Sequence, residues 1–281
     1  MHERSAPRAN PWRTRHIIVE NQAKLTVVNS ELIFSATYPW HTEYHALLLY
    51  DHVTANITKS KVTYVNGKGD AIYAFNYSKL WIKDVTISTH KPENMYSPYR
   101  YPKSGLVTFG RSEVEVQNST IDEVYALGDC TVDFSNSNVE YFDTTHDSSR
   151  VNITDSTISQ FEIYGPDSKV WLTNTTIGTL MARSNSKIWL IHCVAEIVNA
   201  IDKSGVWLLD SSVKEIVHTN RVWIVWEWPL FGQITVPYDW AQNILPVFAL
   251  TIALIAIIVL LFLRRRKRRV QVTEETNLSD S

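Results

Sequence analysis

Three sets of side chains have types and spacings that could carry chemistry. Glu115 and Asp133 stand 18 residues apart in matching contexts, VEV and VDF. Glycoside hydrolysis needs two carboxylates facing one another roughly 5 to 9.5 Å apart, which makes the two acids a catalytic candidate pair, although paired acids on an exposed β face are commonplace. Trp171, Trp189, Trp207 and Trp223 recur in KVWL, KIWL, GVWL and RVWI at steps of 18, 18 and 16 residues. A row of indoles offers apolar surface to a protein partner or to stacked sugar rings, and Lys169, Lys187 and Arg221 flank it with positive charge. His41 and His45 in HTEYH share a metal only if that segment is helical, and no second pair of ligands accompanies them. Neither a metal nor another cofactor is therefore expected.

The spacing of these residues is that of a repeat. The chain reads LTVVNSEL at 25, ANITKSKV at 55, LWIKDVTI at 80, VEVQNSTI at 114 and VDFSNSNV at 132, then VNITDSTI, VWLTNTTI, IWLIHCVA and VWLLDSSV, with a degenerate copy from Val222. Apolar residues alternate within each unit, the period-2 mark of a strand with one buried face. Asn or Asp follows, residues that tolerate the left-handed backbone of a tight bend. His192 takes the same place, where a hydrogen-bonding structural role is the simpler account. Three short apolar stretches per unit, repeated every 18 to 19 residues from 114 onward, match one coil of a parallel β-helix, with coils about 4.8 Å apart. A β-sandwich has similar strand spacing, but its strands do not repeat one residue type at one position.

The expected fold is all-β: a right-handed parallel β-helix of about ten coils over residues 24–226, preceded by an N-terminal segment, 1–23. Its columns explain further residues. Ser78, Ser112, Ser149, Ser168, Ser186 and Ser204 share one column, with Cys130 in the same place; Ser30, Ser60, Ser119, Ser137, Ser156, Thr175 and Ser211 share another, with Cys193. The cysteines thus lie in different columns, about 14 Å apart along the axis, too far for a disulfide. Two coils are longer than the rest, so residues 35–46 and 88–104 should protrude as loops, where binding often resides. The tryptophans fall between the two apolar residues of the first strand and should point outward, in a column with Thr26, Asn56, Trp81, Glu115, Asp133 and Asn152. Cover by residues 1–23 or the stretch before the span, a protein interface, and a sugar platform are the three readings of that row.

On this periodicity the chain resembles the right-handed parallel β-helix superfamily, the pectin-lyase-like proteins and related carbohydrate-binding and sugar-hydrolysing surface repeats. The resemblance implies the fold and a bias toward polysaccharide. The Asn-Thr-Asp, Asp-Asp, Gly-His-Gly and Arg-Ile-Lys strings of the polygalacturonases in that superfamily are absent.

Outside the repeat, LPVFALTIALIAIIVLLFL at 245 to 263 has no charge and is followed by RRRKRR. Nineteen helical residues span roughly 28 Å, the hydrocarbon thickness of a bilayer, so a single transmembrane α-helix is expected at 244–263. Membrane lipid is the one partner this implies directly. The basic cluster places the tail, 264–281, in the cytoplasm and the β-helix outside, a single-pass cell-membrane protein, with an aromatic stem at 227–243. The segment MHERSAPRANPWRTRHIIVEN has no apolar h-region, which leaves open a leader upstream or insertion by the C-terminal span. Asn56, Asn76, Asn118, Asn152 and Asn174 begin sequons and are expected glycosylation sites if the body is outside, although a Ser/Thr/Asn-rich repeat generates sequons by chance. Ahead of the tail, 21 basic residues face 26 acidic ones, a balance that argues against nucleic acid. The expected role is non-catalytic: adhesion, glycan contact, self-association or envelope assembly. A membrane-anchored polysaccharide lyase or glycoside hydrolase is the alternative, and a C-terminal fragment of a larger surface-layer protein a second one.

Overall fold

The computed structural model describes residues 12–14, 16–35, 46–65, 70–90, 105–144, 148–217, 222–228 and 232–238, together with Leu254 and Ile257. The insertions read at 35–46 and 88–104 and the metal candidates His41 and His45 lie almost wholly or wholly outside these residues. So does the span at 244–263, apart from Leu254 and Ile257, which are exposed. Among the described residues no helix is long and apolar enough to cross a membrane. The chain divides into two units, Met1–Thr235 and Val236–Ser281, and the first holds the repeat.

Every paired register in the repeat is parallel and joins a strand to the one a coil away. The first strands of the coils, from Lys24–Val28 through Glu113–Gln117 and Lys187–Ile191 to Val222–Trp228, form an eleven-stranded sheet together with Gly232–Pro237 at its end. The other strands build a fourteen-stranded sheet that folds around the remaining two sides. Trp12–Thr14 pairs with Leu32, Ile33 and Phe34, and Ile17–Glu20 pairs with Leu47–Tyr50, so residues before 24 also enter the stack. From Thr120 onward the second and third strands merge, as in Thr120–Leu127 and Thr157–Ile163. The register skips one residue at the corner, passing from Ile121↔Val139 to Glu123↔Tyr141. That corner bends without breaking the strand, which is why three apolar stretches become two strands. It is also tight: a Cβ on Gly178 would strike the carbonyl oxygen of Ser159.

The alternation explains the core. Val151, Ile153, Val170, Leu172, Ile188 and Leu190 are buried on the inner side of the first sheet, and Phe142, Phe161 and Leu180 fill the interior from the second. Between the sheets, Asn29, Lys59, Asp84, Asn118, Asn136, Asp155, Asn174, His192 and Asp210 all take positive φ, from 46° to 55°. His192 is therefore a bend residue whose backbone N–H donates to Leu209 O at 2.9 Å.

One residue on, the buried hydroxyl column forms a ladder. The Ser119 and Ser137 N–H groups donate to the hydroxyls of Ser137 and Ser156, each at 3.1 Å, and those hydroxyls donate to Ser135 O and Thr154 O of their own coils. A small side chain that both accepts and donates satisfies two coils at once, the condition for burying a polar group. Cys193 enters this ladder through its N–H, which donates to Ser211 Oγ at 2.9 Å. Both cysteines are free and buried, and burial pushes the Cys130 thiol up to about 11.

Candidate functional site

The register of the first sheet sets one outward column in order: Thr26, Asn56, Trp81, Glu115, Asp133, Asn152, Trp171, Trp189, Trp207 and Trp223. The four final tryptophans stack, with ring centroids 4.9, 5.2 and 5.1 Å apart and planes within 17° of parallel. The spacing equals the coil repeat because identical side chains in identical rotamers stand one strand apart. Each ring is half-buried, since its faces are spent on its neighbours. At one end the Arg150 guanidinium lies 5.3 Å from the Trp171 ring centroid, a cation–π cap. Gly205 makes room at the other end: a Cβ there would come within 2.8 Å of the Trp207 and Trp223 rings. Lys169 and Lys187 stand in the adjacent column, in register with one another and exposed. Trp12, one proposed source of cover, has its backbone in the other sheet beside Leu32.

Glu115 and Asp133 are register neighbours, and both are exposed. Asp133 Oδ1 accepts from Asn152 Nδ2 at 2.6 Å. With Lys79, Trp81, Glu113 and Thr131 they line a concavity of about 240 Å³. The Lys79 ammonium donates to Glu113 at 2.7 Å, and among the described residues no ion pair holds Glu115 or Asp133. A general acid must hold its proton at neutral pH, which takes an environment that penalises the charged form. Both of these carboxylates are open to water.

The sequons follow from the same geometry. Asn118 and Asn174 are bend residues, and their side-chain amides donate to Asp84 and Asp155 one coil earlier, at 3.2 and 3.1 Å. Asn76, also at positive φ, donates to Asp51 at 3.4 Å, while Asn56 and Asn152 sit in the tryptophan column. Among the described residues no group of His, Cys, Asp and Glu could hold a metal ion.

A second constellation, on the third side of the coil, has no counterpart in the sequence reading. Tyr125, Asp143, Glu162 and Met181 stand in one outward column, beside a column holding Tyr141 and Gln160. Asp143 is only 6% exposed and accepts from the Tyr141 hydroxyl at 3.3 Å. Glu162 accepts from Gln160 Nε2 at 2.5 Å and from the Tyr164 hydroxyl at 2.6 Å. The Arg183 guanidinium lies 4.9 Å from the Tyr164 ring centroid, and its Nε and Nη2 lie 3.3 and 3.2 Å from Met181 Sδ. Burial first, and then the neighbouring carboxylates, hold the Tyr125 and Tyr141 phenols above their ordinary value. Burial and the Glu162 hydrogen bond push Tyr164 up to about 12. These phenols are hydrogen-bond donors at neutral pH, not bases. Tyr125, Asp143, Glu162 and Met181 come from successive coils, and no residue type repeats along their column, so no repeat signal marks them.

A family model described as "Right handed beta helix region" matches residues 15–223, and the chain belongs to that family. No curated protein and no solved structure matches it.

Proposed function

We propose that this is a non-catalytic, membrane-anchored cell-surface protein whose β-helical rod serves adhesion or envelope assembly through its tryptophan face. The observation that carries the reading is the coverage of the indole faces. Sugar rings bind aromatic side chains face to face, and the inner faces of Trp171, Trp189, Trp207 and Trp223 are occupied by one another. What the row offers is a strip of indole edges bordered by Lys169 and Lys187, which suits a protein partner or a second copy better than a glycan. Exposure of Glu115 and Asp133 supports the non-catalytic half of the reading. Membrane anchoring rests on the uncharged stretch at 244–263 and the basic cluster after it, and glycosylation at the five sequons rests on the outside placement. The test is the oligomeric mass of the full-length chain in detergent, with and without its native membrane partners. Replacing Lys169 and Lys187 with Glu should dissociate the assembly while leaving the thermal transition in place. An unchanged mass in that variant overturns the tryptophan-face reading.

A membrane-anchored lyase or glycoside hydrolase is the second reading, and one observation favours it. Asp143 and Glu162 are register neighbours about 4.8 Å apart with unlike surroundings, one buried and one holding two donors, as acid–base pairs require. Release of reducing ends or unsaturated products from a polysaccharide panel, abolished by Asp143→Asn and Glu162→Gln, would establish it. Equal signal from wild type and both variants removes it.

A further inference from the structure

Trp81 stands in the same outward column as the tryptophan row but in a different situation. Its register neighbours are Asn56 on one side and Glu115 on the other, neither of them aromatic. Among the described residues no ring and no cation stacks on it, and it is 39% exposed, enough to rank with the exposed large apolar side chains. Beside it lies the 240 Å³ concavity that continues over Glu115 to Asp133. That volume falls below the roughly 300–1,000 Å³ of sites for drug-sized ligands and is on the scale of a single small ring. From Trp81 the column runs one strand spacing, about 5 Å, to Glu115 and two, about 10 Å, to Asp133, so a ring against the indole meets Glu115 directly and reaches Asp133 only through a substituent on its far edge.

We infer that Trp81, Glu115 and Asp133 form a binding site for one pyranose ring of an amino sugar bearing a free ammonium group. The indole takes the apolar face of the ring. Among the described residues no group donates to Glu115, and Asp133 has only the Asn152 amide, on Oδ1. Lys79 is already held by Glu113. The site is thus a pair of carboxylates with spare acceptor capacity and no counter-charge of its own, which attracts an ammonium, accepts from neutral hydroxyls less strongly, and repels a uronate. This site goes beyond the proposed tryptophan-face contact and does not depend on it.

The experiment uses the full-length chain in detergent, produced both in a host that N-glycosylates and in one that does not. Binding seen only when Asn56 and Asn152 beside the site are bare gives that surface to the chain's own glycans and overturns the inference. Titration calorimetry follows a glucosamine trimer, its fully N-acetylated form and a galacturonate trimer. The glucosamine trimer should bind most tightly, weaken as salt rises, and be lost in Trp81→Ala. Glu115→Gln should weaken it about tenfold or more, the effect of removing one charged hydrogen-bond partner, while leaving the acetylated trimer nearly unchanged. Trp81→Phe keeps an aromatic face and should retain part of the affinity, which separates loss of the face from misfolding. Trp189→Ala should bind like wild type. The inference is overturned if the glucosamine trimer does not bind, if the galacturonate trimer binds as well, or if Trp189→Ala abolishes binding as Trp81→Ala does. The tryptophan-face reading is judged separately, by the oligomeric mass of the Lys169 and Lys187 variant, which none of these binding results decides.

Discussion

Replacing Trp189 with Ala should destabilise the rod through two broken ring stacks, and the size of the effect follows from its neighbours. Trp189 lies 4.9 Å from Trp171 and 5.2 Å from Trp207, with planes 6° and 14° from parallel. Each such pair contributes about 0.5–1.5 kcal/mol beyond the area it covers, so two pairs contribute about 1–3 kcal/mol. For a domain of this size each kcal/mol moves the midpoint by about 2–4 °C, giving a fall of roughly 2–12 °C in Tm. A single mutant also loses buried area, so the decisive number is the coupling in a double-mutant cycle. Trp171→Ala combined with Trp189→Ala should show about 0.5–1.5 kcal/mol of coupling by urea denaturation, whereas Trp81→Ala with Trp189→Ala should show none. Nearest-neighbour coupling in a solenoid predicts a local readout as well: amides of Lys187–Ile191 should lose exchange protection before those of Glu113–Gln117. Zero coupling between Trp171 and Trp189 would refute the claim that the faces are spent on one another, and so reopen the sugar-platform reading.

Other expectations follow from single positions. Gly178→Ala should cost about 1–3 kcal/mol in Tm measurements, because its Cβ would strike the backbone oxygen of Ser159, which cannot turn aside. At the bend, Asn118→Gly should be nearly neutral and Asn118→Val should cost about 1–2 kcal/mol, since φ is +50° and a β-branched residue pays most there. The Cys130 thiol should resist a thiol reagent at pH 8 in the native protein and react on unfolding. Because its folded value of about 11 is above the unfolded 9.0, its contribution to stability is full below pH 9 and disappears as pH rises through 11. The raised phenol of Tyr164 acts in the same direction up to about 12, so urea midpoints should fall progressively above pH 9, and Tyr164→Phe should flatten the upper part of that fall.

Much of this structure was legible because a β-helix writes its architecture into columns. The strand period, the positive-φ bends, the hydroxyl ladder, the outward tryptophans and the two unpaired cysteines all repeat or replace one residue type at one place. Two features were not legible for physical reasons. The corner at Asp122, Glu140, Ser159 and Gly178 joins two strands into one, and nothing in a period-2 pattern distinguishes a bend with one skipped residue from a break. The Tyr125–Asp143–Glu162 constellation is built from unlike residues in successive coils, so its members look like unrelated loop and strand positions until the register brings them together. Glu115 and Asp133 were found as neighbours by the column rule, but the concavity they line is set by Lys79, Trp81 and Glu113 of the neighbouring coils, which the column does not carry.

The tryptophan column also changes what repetition means for binding. In a solenoid, any aromatic residue placed in consecutive coils meets its copy at the strand spacing and covers its own faces, so adding rings removes the very surface that sugar stacking uses. An aromatic residue flanked by polar coils keeps its face. Trp171 through Trp223 therefore brace the rod and leave their edges to the proposed partner, whereas Trp81, a single indole beside two acids, is the proposed seat of a ring-shaped ligand. The two behaviours arise from one column of one sheet, separated only by whether the next coil repeats the residue.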